Sequence, residues 1–416
     1  MSTLAFLSGN EAVAQAVRLC RPKVIAAYPI TPQTVVVETL AQLVESGRLD
    51  AQFVHVESEH SALALVMGSA AMGVRTFTAT SSQGLLYMAE CLYYSSGGRF
   101  PLVMMNANRA LALPWNIYGD QSDALGLISS GWIQAFAASA QEGLDMLVQA
   151  YAVAEDERVR TPVLVNLDGF IVTHTYEAVE VPDQAAIDDF LPPPIFRDGY
   201  PGTFDLAAPQ SLAITAGPGD YTVFKYRQHS ALRQAATCIR ATAERYRAAF
   251  GRGCTGLVEH YRSADAAYLM VTLGSIAGTV RVVVDELRAG GIAAGLIRLR
   301  YLRPFPTDEL LTALFGPQRT TAVVALGVLE KDISFGHQGT VSLEVRAALY
   351  EHASGAGQDR GLPTAVNFIA GLGGQDLSRA EIAAFFTELV AHQNSPHRSD
   401  SGVRFAGLKE LVDDYG

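Results

Sequence analysis

Two prolines three residues apart, Pro29 and Pro32, punctuate the run Tyr28-Pro29-Ile30-Thr31-Pro32 and constrain this chain more tightly than any other stretch. Each proline fixes its own φ and biases the residue before it to extended conformations, so Thr31 is held on a stiff turn. Val24-Ile25-Ala26-Ala27-Tyr28 ahead of the turn reads as a short apolar strand, Thr34 to Glu45 as a helix, and Gln52 to Val56 as a second strand running into Glu57-Ser58-Glu59-His60. Ligands of open α/β sheets sit beyond the carboxyl ends of such strands. The arrangement therefore delivers a hydroxyl, on Thr31, and a carboxylate, on Glu59, to one sheet edge.

The same alternation continues on both sides. Ser8-Gly9-Asn10-Glu11 opens a capped helix through Val17. Helices are expected from about Ser61 to Gly73, from about Gly84 and over Ala140 to Glu155, with strands at Arg75 to Ala79, Pro101 to Asn106 and Pro162 to Asn166. Short apolar strands alternating with helices predict a parallel sheet covered on both faces. The helix after Glu59 is dense in small residues, Ala62, Ala64, Gly68, Ala70, Ala71 and Gly73, which suits either a close subunit interface or ordinary helix-on-sheet packing.

From Tyr176 the texture changes. Leu191-Pro192-Pro193-Pro194 and the Gly/Pro-rich run from Asp198-Gly199-Tyr200-Pro201-Gly202 through Gly217-Pro218-Gly219 exclude regular helix or central strand. A basic helical stretch from about Ser230 to Phe250 leads out, so this segment reads as an arm over the first unit or a neighbour. A second α/β unit begins at Ala267 to Leu273, with a helix from Gly274-Ser275 to about Arg288 and strands at Ala294 to Leu299, Thr321 to Leu326 and Ala365 to Ile369. Gly274 and Gly278 fit neither G-x-G-x-x-G nor Walker A spacing, and tight strand-to-helix turns explain them. The polar tail beyond His392 is expected to be mobile or bound to a partner. The expected division is thus 1–175, a first α/β unit; 176–262, an extended arm and linker; 263–392, a second α/β unit; and 393–416, a C-terminal tail.

A chain of 416 residues exceeds what one hydrophobic core usually supports. Its hydrophobic fraction of 49% with only 18% charged residues suggests burial against other subunits. The net charge of -11, with no basic stripe, argues against nucleic acid. Long apolar stretches are interrupted by charge, Gly or Pro, and the start Met1-Ser2-Thr3-Leu4-Ala5-Phe6-Leu7 lacks a basic leader region, so no membrane span and a cytoplasmic location are expected. Cys20, Cys91, Cys238 and Cys254 are too scattered to ligate a metal or an iron–sulfur cluster. Any electrons must be moved by another chain.

Read from the residues, the candidate constellation is Thr31, Glu59, the loop Thr78-Ala79-Thr80-Ser81-Ser82-Gln83-Gly84, and Arg109, each behind an expected strand. Singly, an Arg behind a strand is usually a solvated or ion-paired residue, and a Glu at a helix start is usually a cap favoured by the dipole. In this order, with Gly9-Asn10-Glu11-Ala12, Tyr118-Gly119-Asp120, Leu167-Asp168-Gly169-Phe170, Leu302-Arg303-Pro304-Phe305-Pro306 and Gly371-Leu372-Gly373-Gly374-Gln375-Asp376, the chain resembles the α subunit, or N-terminal region, of the 2-oxoacid:ferredoxin (acceptor) oxidoreductases, the family of pyruvate:ferredoxin oxidoreductase. Gln375, where relatives commonly carry Arg, and Pro114-Trp115 depart from the family pattern.

The resemblance implies a CoA-acylating, thiamine diphosphate-dependent oxidoreductase with two parallel-sheet domains, a pyrimidine-binding domain followed by a transketolase C-terminal-like domain. It implies that Glu59 hydrogen-bonds the aminopyrimidine ring, that Arg109 binds the substrate carboxylate bidentately and that Thr31 donates to a substrate oxygen, with Pro29, Thr31 and Arg109 also at the cofactor. Glu57 is the nearest rival carboxylate, one step too early along an extended strand. The Gly-Asp-Gly motif for magnesium and diphosphate is missing from the chain. The resemblance assigns that half to a β subunit, with a γ subunit and a ferredoxin-like iron–sulfur subunit completing the complex, so that Mg2+, [4Fe-4S] clusters and CoA are held by the assembly. Non-oxidative decarboxylation and a non-catalytic scaffold are the competing readings. A single cation, Arg109, favours a monocarboxylic 2-oxo acid. The apolar and aromatic run Ala110 to Tyr118 favours a bulky or aryl side chain, as in a phenylglyoxylate-type member, unless Trp115 and Tyr118 simply pack against the arm.

Overall fold

Strands Val24–Ala27, Thr76–Thr80, Val103–Asn108, Ile133–Ala137 and Val163–Asp168 carry hardly a charge along their length, and all of their residues except Val24 are buried. Such strands need cover on both faces, which is the condition of a parallel sheet. In the computed structural model, which describes residues 2–192, 203–205, 209, 211, 215–253, 256–355, 361–391 and 402–408, they form a seven-stranded sheet. Its order is Tyr301–Arg303, Ile133–Ala137, Val163–Asp168, Val103–Asn108, Thr76–Thr80, Val24–Ala27, Gln52–His55. Every pair is parallel except the edge pair of Tyr301–Arg303 with Ile133–Ala137.

Side chains alternate between two cores. Ile25, Phe77, Val103 and Val165 point to helices Gly9–Cys20 and Ala140–Ala154. Ala26, Met104 and Leu164 point to helices Glu59–Ala71, Ser82–Tyr87 and Ala89–Gly97. The first helix is closed by the expected cap: Ser8 Oγ accepts from Glu11 N at 3.3 Å and Ser8 N donates to Glu11 Oε2 at 2.8 Å.

A six-stranded second sheet has the order Val403–Phe405, Thr364–Ile369, Ala325–Glu330, Tyr268–Leu273, Ala294–Leu299, Val258–Tyr261, parallel except for its last pair. The two sheets share one core. Leu63 and Val66 of the first unit belong to the same buried cluster as Leu269, Val271, Leu326 and Val328 of the second.

Several expectations change at the joins. Ile133–Ala137 is a central strand that local pattern did not mark, and Ala325–Glu330 replaces the strand expected over Thr321 to Leu326. Among its described residues the segment read as an extended arm and linker is largely regular: Tyr176–Pro182 pairs antiparallel with Ser2–Ser8, and Pro218–Phe250 is one helix. Pro218 and Gly219, expected to exclude helix, are its first residues, because proline at the first helical position gives up an N–H that has no intrahelical partner. The rest of the Pro-rich run, Pro193 to Gly202, and Cys254 lie outside the described residues. Of the tail, expected to be mobile or partner-bound, residues 402–408 are described and supply the edge strand Val403–Phe405, while 393–401 and 409–416 lie outside the described residues.

The strand exits of the two sheets meet through glycines. Gly274 has φ +62°, and a Cβ there would fall 2.8 Å from Asp168 Oδ2. At Gly374, φ +78°, a Cβ would fall 2.3 Å from Tyr118 Cβ. Asp168 accepts from Ser275 N at 2.8 Å and Gln121 Nε2 at 3.0 Å and lies 3.6 Å from Lys331 Nζ, both ionic side chains being less than a tenth exposed. A second tie is Glu142, which pairs with Arg298 at 2.7 Å and Arg300 at 2.9 Å.

Burial alone would raise the Asp168 carboxyl, but Lys331, Ser275 and Gln121 outweigh it and hold it below the usual range. A depressed native pKa stabilises above the unfolded value, about 3.9, and that stabilisation is lost as pH falls through the native one. Asp168→Asn is therefore expected to lower unfolding free energy by about 3–5 kcal/mol near neutral pH, the scale for a broken buried pair. Denaturant unfolding should show the deficit shrinking below about pH 4; a pH-independent deficit would contradict the ionic role.

Candidate active site

The carboxyl ends of Val24–Ala27, Gln52–His55, Thr76–Thr80 and Val103–Asn108 open onto one edge, and each loop leaving it is tied down. Asn10 Nδ2 donates to Pro32 O at 2.8 Å and Gln33 Nε2 to Tyr28 O at 2.9 Å, which fixes the proline turn. The Thr31–Pro32 peptide is cis. The side chains of Pro29 and Thr31 are exposed on this turn.

Glu59 is the first residue of its helix, behind the cap Ser58, whose Oγ accepts from Ser61 N at 3.2 Å. It is 7% exposed. Its carboxylate lies over Gly84, where a Cβ would stand 2.6 Å from both Glu59 Oε1 and Thr80 Oγ1. Glu57 differs in kind. The strand stops at His55, so Glu57 sits in the turn rather than on an extended strand, is exposed, and accepts from the Ser61 hydroxyl, which holds its carboxyl below the usual range. The helix start turns Glu59 inward and leaves Glu57 on the surface.

Arg109 is 4% exposed and reaches across the edge. Its Nη1 donates to Thr31 O at 2.7 Å and its Nη2 to Gln83 Oε1 at 3.0 Å. Its guanidinium lies 5.7 Å from the Trp115 ring centroid. Burial lowers its pKa, opposed by the nearby charges of Asp123 and Glu59. Thr31, Glu59, the 78–84 loop and Arg109 are thus brought together, as their order along the chain suggested, while Pro29 makes none of these contacts.

Several buried polar atoms here have no hydrogen-bond partner among the described residues: Arg109 Nε, Thr78 Oγ1, Thr80 Oγ1 and Ser81 Oγ. Buried polar atoms are nearly always satisfied in a working protein, so such a cluster beside a glycine-made recess fits a polar ring or a substrate. These residues, the Glu59 carboxylate among them, fit the polar aminopyrimidine half of thiamine diphosphate. Among the described residues no group of three or more His, Cys, Asp or Glu side chains is placed to hold a metal ion. No described helix is long and apolar enough to cross a membrane.

Sequence reasoning missed the layer beneath. Asn106, Asn108, Asp123 and Asn166 are all buried and hydrogen-bonded to one another. Asparagines two apart in the otherwise apolar run Met105-Asn106-Ala107-Asn108 were the available signal. The family loop around Gly371 to Gly374 closes the far side: Asn116 Nδ2 donates to Gly373 O at 3.0 Å and Gly373 N to Asp120 Oδ2 at 3.1 Å. Gln375 turns away, donating to Gly407 O at 3.4 Å.

Two family models match, "Pyruvate flavodoxin/ferredoxin oxidoreductase, thiamine diP-bdg" over residues 15–244 and "Pyruvate:ferredoxin oxidoreductase core domain II" over residues 266–382. The chain belongs to the 2-oxoacid:ferredoxin oxidoreductase family. It is 42% identical to the pyruvate synthase subunit PorA of Methanothermobacter thermautotrophicus, covering 98% of this chain and 99% of the relative. It is 38% identical to the ketoisovalerate oxidoreductase subunit VorA of Pyrococcus abyssi, with 92% of each covered. The 2-oxoglutarate:ferredoxin oxidoreductase of Magnetococcus marinus, solved with 2-oxoglutarate, coenzyme A and succinyl-CoA bound, is similar in fold, with a TM-score of 0.70 at 20% identity. That match covers 93% of this chain and 65% of the other. In the family's terms the first sheet is the thiamine diphosphate-binding unit, and the paired sheets of the α/β fold are those the motifs implied.

Gly84→Ala tests the recess. The added methyl would overlap Glu59 and Thr80, and overpacking of this kind costs about 1–3 kcal/mol. Turnover of the assembled enzyme is expected to fall at least roughly tenfold as Glu59 is displaced, a change of about 1.4 kcal/mol in the barrier. Unchanged kcat with a well-folded variant would contradict the contact.

Proposed function

We propose that this chain is the catalytic α subunit of a thiamine diphosphate-dependent 2-oxoacid:acceptor oxidoreductase, which converts a monocarboxylic 2-oxo acid and coenzyme A to acyl-CoA and carbon dioxide while electrons pass to iron–sulfur partner subunits. The observation that carries this reading is the buried Glu59 carboxylate over Gly84, on the edge it shares with Arg109. Thiamine diphosphate, when bound, supplies the nucleophilic carbon and the electron sink for decarboxylation. Glu59 holds and exchanges a proton at the aminopyrimidine ring, in a site dry enough for the proton's position to matter. Arg109 keeps Nε and unused N–H donors for the substrate carboxylate, and its bonds to Thr31 O and Gln83 Oε1 hold the guanidinium plane in place. The Thr31 hydroxyl, exposed on its turn, is free to donate to a substrate oxygen.

The half-site for magnesium and diphosphate is proposed to come from a β subunit, with γ and ferredoxin-like subunits completing the complex. The subunit names of the relatives and the absence of a Gly-Asp-Gly motif in this sequence support that division. Units 1–175 and 263–392, joined by 176–262 and followed by 393–416, remain the division we propose for the chain. A monocarboxylic substrate agrees with the two named substrates, pyruvate and ketoisovalerate, and with Lys331 being committed to Asp168. An aryl side chain has less support: Leu113 and Trp115 are 87% and 69% exposed, on the surface rather than around a pocket of this chain.

On the assembled complex, Glu59→Gln should retain partner subunits and lose most turnover, whereas Glu57→Gln should stay close to the parent enzyme. The opposite ranking would overturn the assignment. In the same assay a dicarboxylic 2-oxo acid preferred over pyruvate and 2-oxoisovalerate would overturn the substrate reading and leave that of Glu59 standing.

A further inference from the structure

Beneath the site lies a carboxylate with no exposure, Asp123. It belongs to the short helix Ser122–Leu125, which Gln134 holds from behind by donating to Ala124 O at 3.2 Å and Leu127 O at 3.3 Å. Its Oδ2 accepts from Ser82 N at 3.0 Å, Asn106 Nδ2 at 3.1 Å and Arg109 N at 3.2 Å. Its Oδ1 accepts from Asn108 Nδ2 at 2.9 Å and Ala124 N at 2.7 Å. A buried carboxylate is costly unless hydrogen-bonded on every side, and here every bond is donated to it.

The donors are the informative part. Ser82 and Arg109 belong to the two loops that leave neighbouring strands at the site, and Asp123 binds the backbone N–H of both with one oxygen. Ser82 has φ +51°, a left-handed conformation that a non-glycine residue keeps only where its surroundings impose it. The bond to Asp123 imposes it from one side, and Ser82 Oγ, donating to Ala110 O at 2.6 Å, from the other. That backbone sets Gln83, whose Oε1 accepts from Arg109 Nη2. Asp123 therefore reaches the guanidinium by two routes, through the Arg109 main chain and through Ser82 and Gln83. Asn106 and Asn108 also donate to Asn166 Oδ1, each at 3.2 Å, and Asn166 Nδ2 to Ala135 O at 3.1 Å, which anchors the frame across the sheet.

We infer that Asp123 is the positioning residue for substrate recognition, holding Arg109 and the Ser81 to Gly84 turn in one rigid frame. The inference rests on the reading of Arg109 as the carboxylate-binding residue. Asp123 touches neither cofactor nor substrate; it acts through the residues that do. The charged groups that share its surroundings are Arg109 and Asp120, and the role is one of geometry, in which a carboxylate is needed because only an acceptor with two oxygens satisfies all the donors.

The test is a double-mutant cycle on the assembled complex. Asp123→Asn puts an amide N–H where an acceptor stood. It should lower kcat/KM for pyruvate about tenfold to a hundredfold, the scale of one lost charge-assisted hydrogen bond, with the change mainly in KM. Thiamine diphosphate affinity by calorimetry should stay close to that of the parent complex, and amide exchange in the peptide around residues 105–112 should accelerate. Asp123→Asn with Arg109→Ala should be no worse than Arg109→Ala alone, because the first change acts through the second residue. Additive losses, or cofactor affinity falling in step with KM, would overturn the proposal as a general destabilisation. A raised KM in Arg109→Ala beside an unchanged one in Asp123→Asn overturns the proposal alone, whereas normal kinetics in Arg109→Ala overturns the reading beneath it as well. If Asp123→Asn does not assemble, Ser82→Gly retains the N–H and tolerates the left-handed backbone but removes the hydroxyl that stands 2.6 Å from both Ala110 O and Gln83 Oε1, and so releases Gln83. It should raise KM in the same direction, and an unchanged KM there overturns the proposal.

Discussion

Parallel pairing of Val24–Ala27 with its neighbours Gln52–His55 and Thr76–Thr80 is the constraint on which the rest depends. In a parallel sheet every strand leaves by the same edge, so the proline turn, the helix start at Glu59 and the Ser81 to Gly84 turn have to converge. An antiparallel neighbour at that point would send one of these loops to the opposite end of the sheet. The chemistry is therefore a consequence of topology first and of residue type second.

Convergence does not by itself make a rigid site, and the second sheet supplies what is missing. Its glycine turns approach so closely that Asp168, Gln121 and Tyr118 pack where side chains would otherwise stand, and Lys331 and Ser275 pair with Asp168 across the join. The shared apolar core makes the two sheets a single packed body along this contact. Bonds from Asn116 and Asp120 to Gly373 tie the segment after Arg109 to the second sheet. The loop around Gly274 is thus understood as a packing surface, with no phosphate needed to explain it.

Much of this was legible in the amino-acid sequence. Pro29 and Pro32 announce a turn, Ser8 and Glu11 a helix start, and the spacing of apolar runs a parallel sheet, because each depends on neighbours in the chain. Ile133–Ala137 was not legible: Ile133 and Phe136 favour a strand, but Gln134, Ala135 and Ala137 between and after them break the pattern, and the segment becomes a strand through its partners Val163–Asp168 and Tyr301–Arg303. The latter crosses from the second half of the chain, a pairing that no local pattern encodes. The sequence pointed to Glu59 at this edge, yet the reason it is buried and Glu57 is exposed lies in where the strand ends. Asp123 stayed hidden because its role needs partners 14 and 41 residues away.

The central claim, that Glu59 meets the cofactor's pyrimidine ring at this edge, is tested most directly by binding. Calorimetry on the assembled complex would compare thiamine diphosphate with an analogue whose ring nitrogen facing the carboxylate is replaced by C–H, in the parent enzyme and in Glu59→Ala. The account expects the parent to prefer the natural cofactor by about tenfold or more, the scale of one hydrogen bond to a charged group, and Glu59→Ala to lose that preference. An equal preference in both proteins would contradict it.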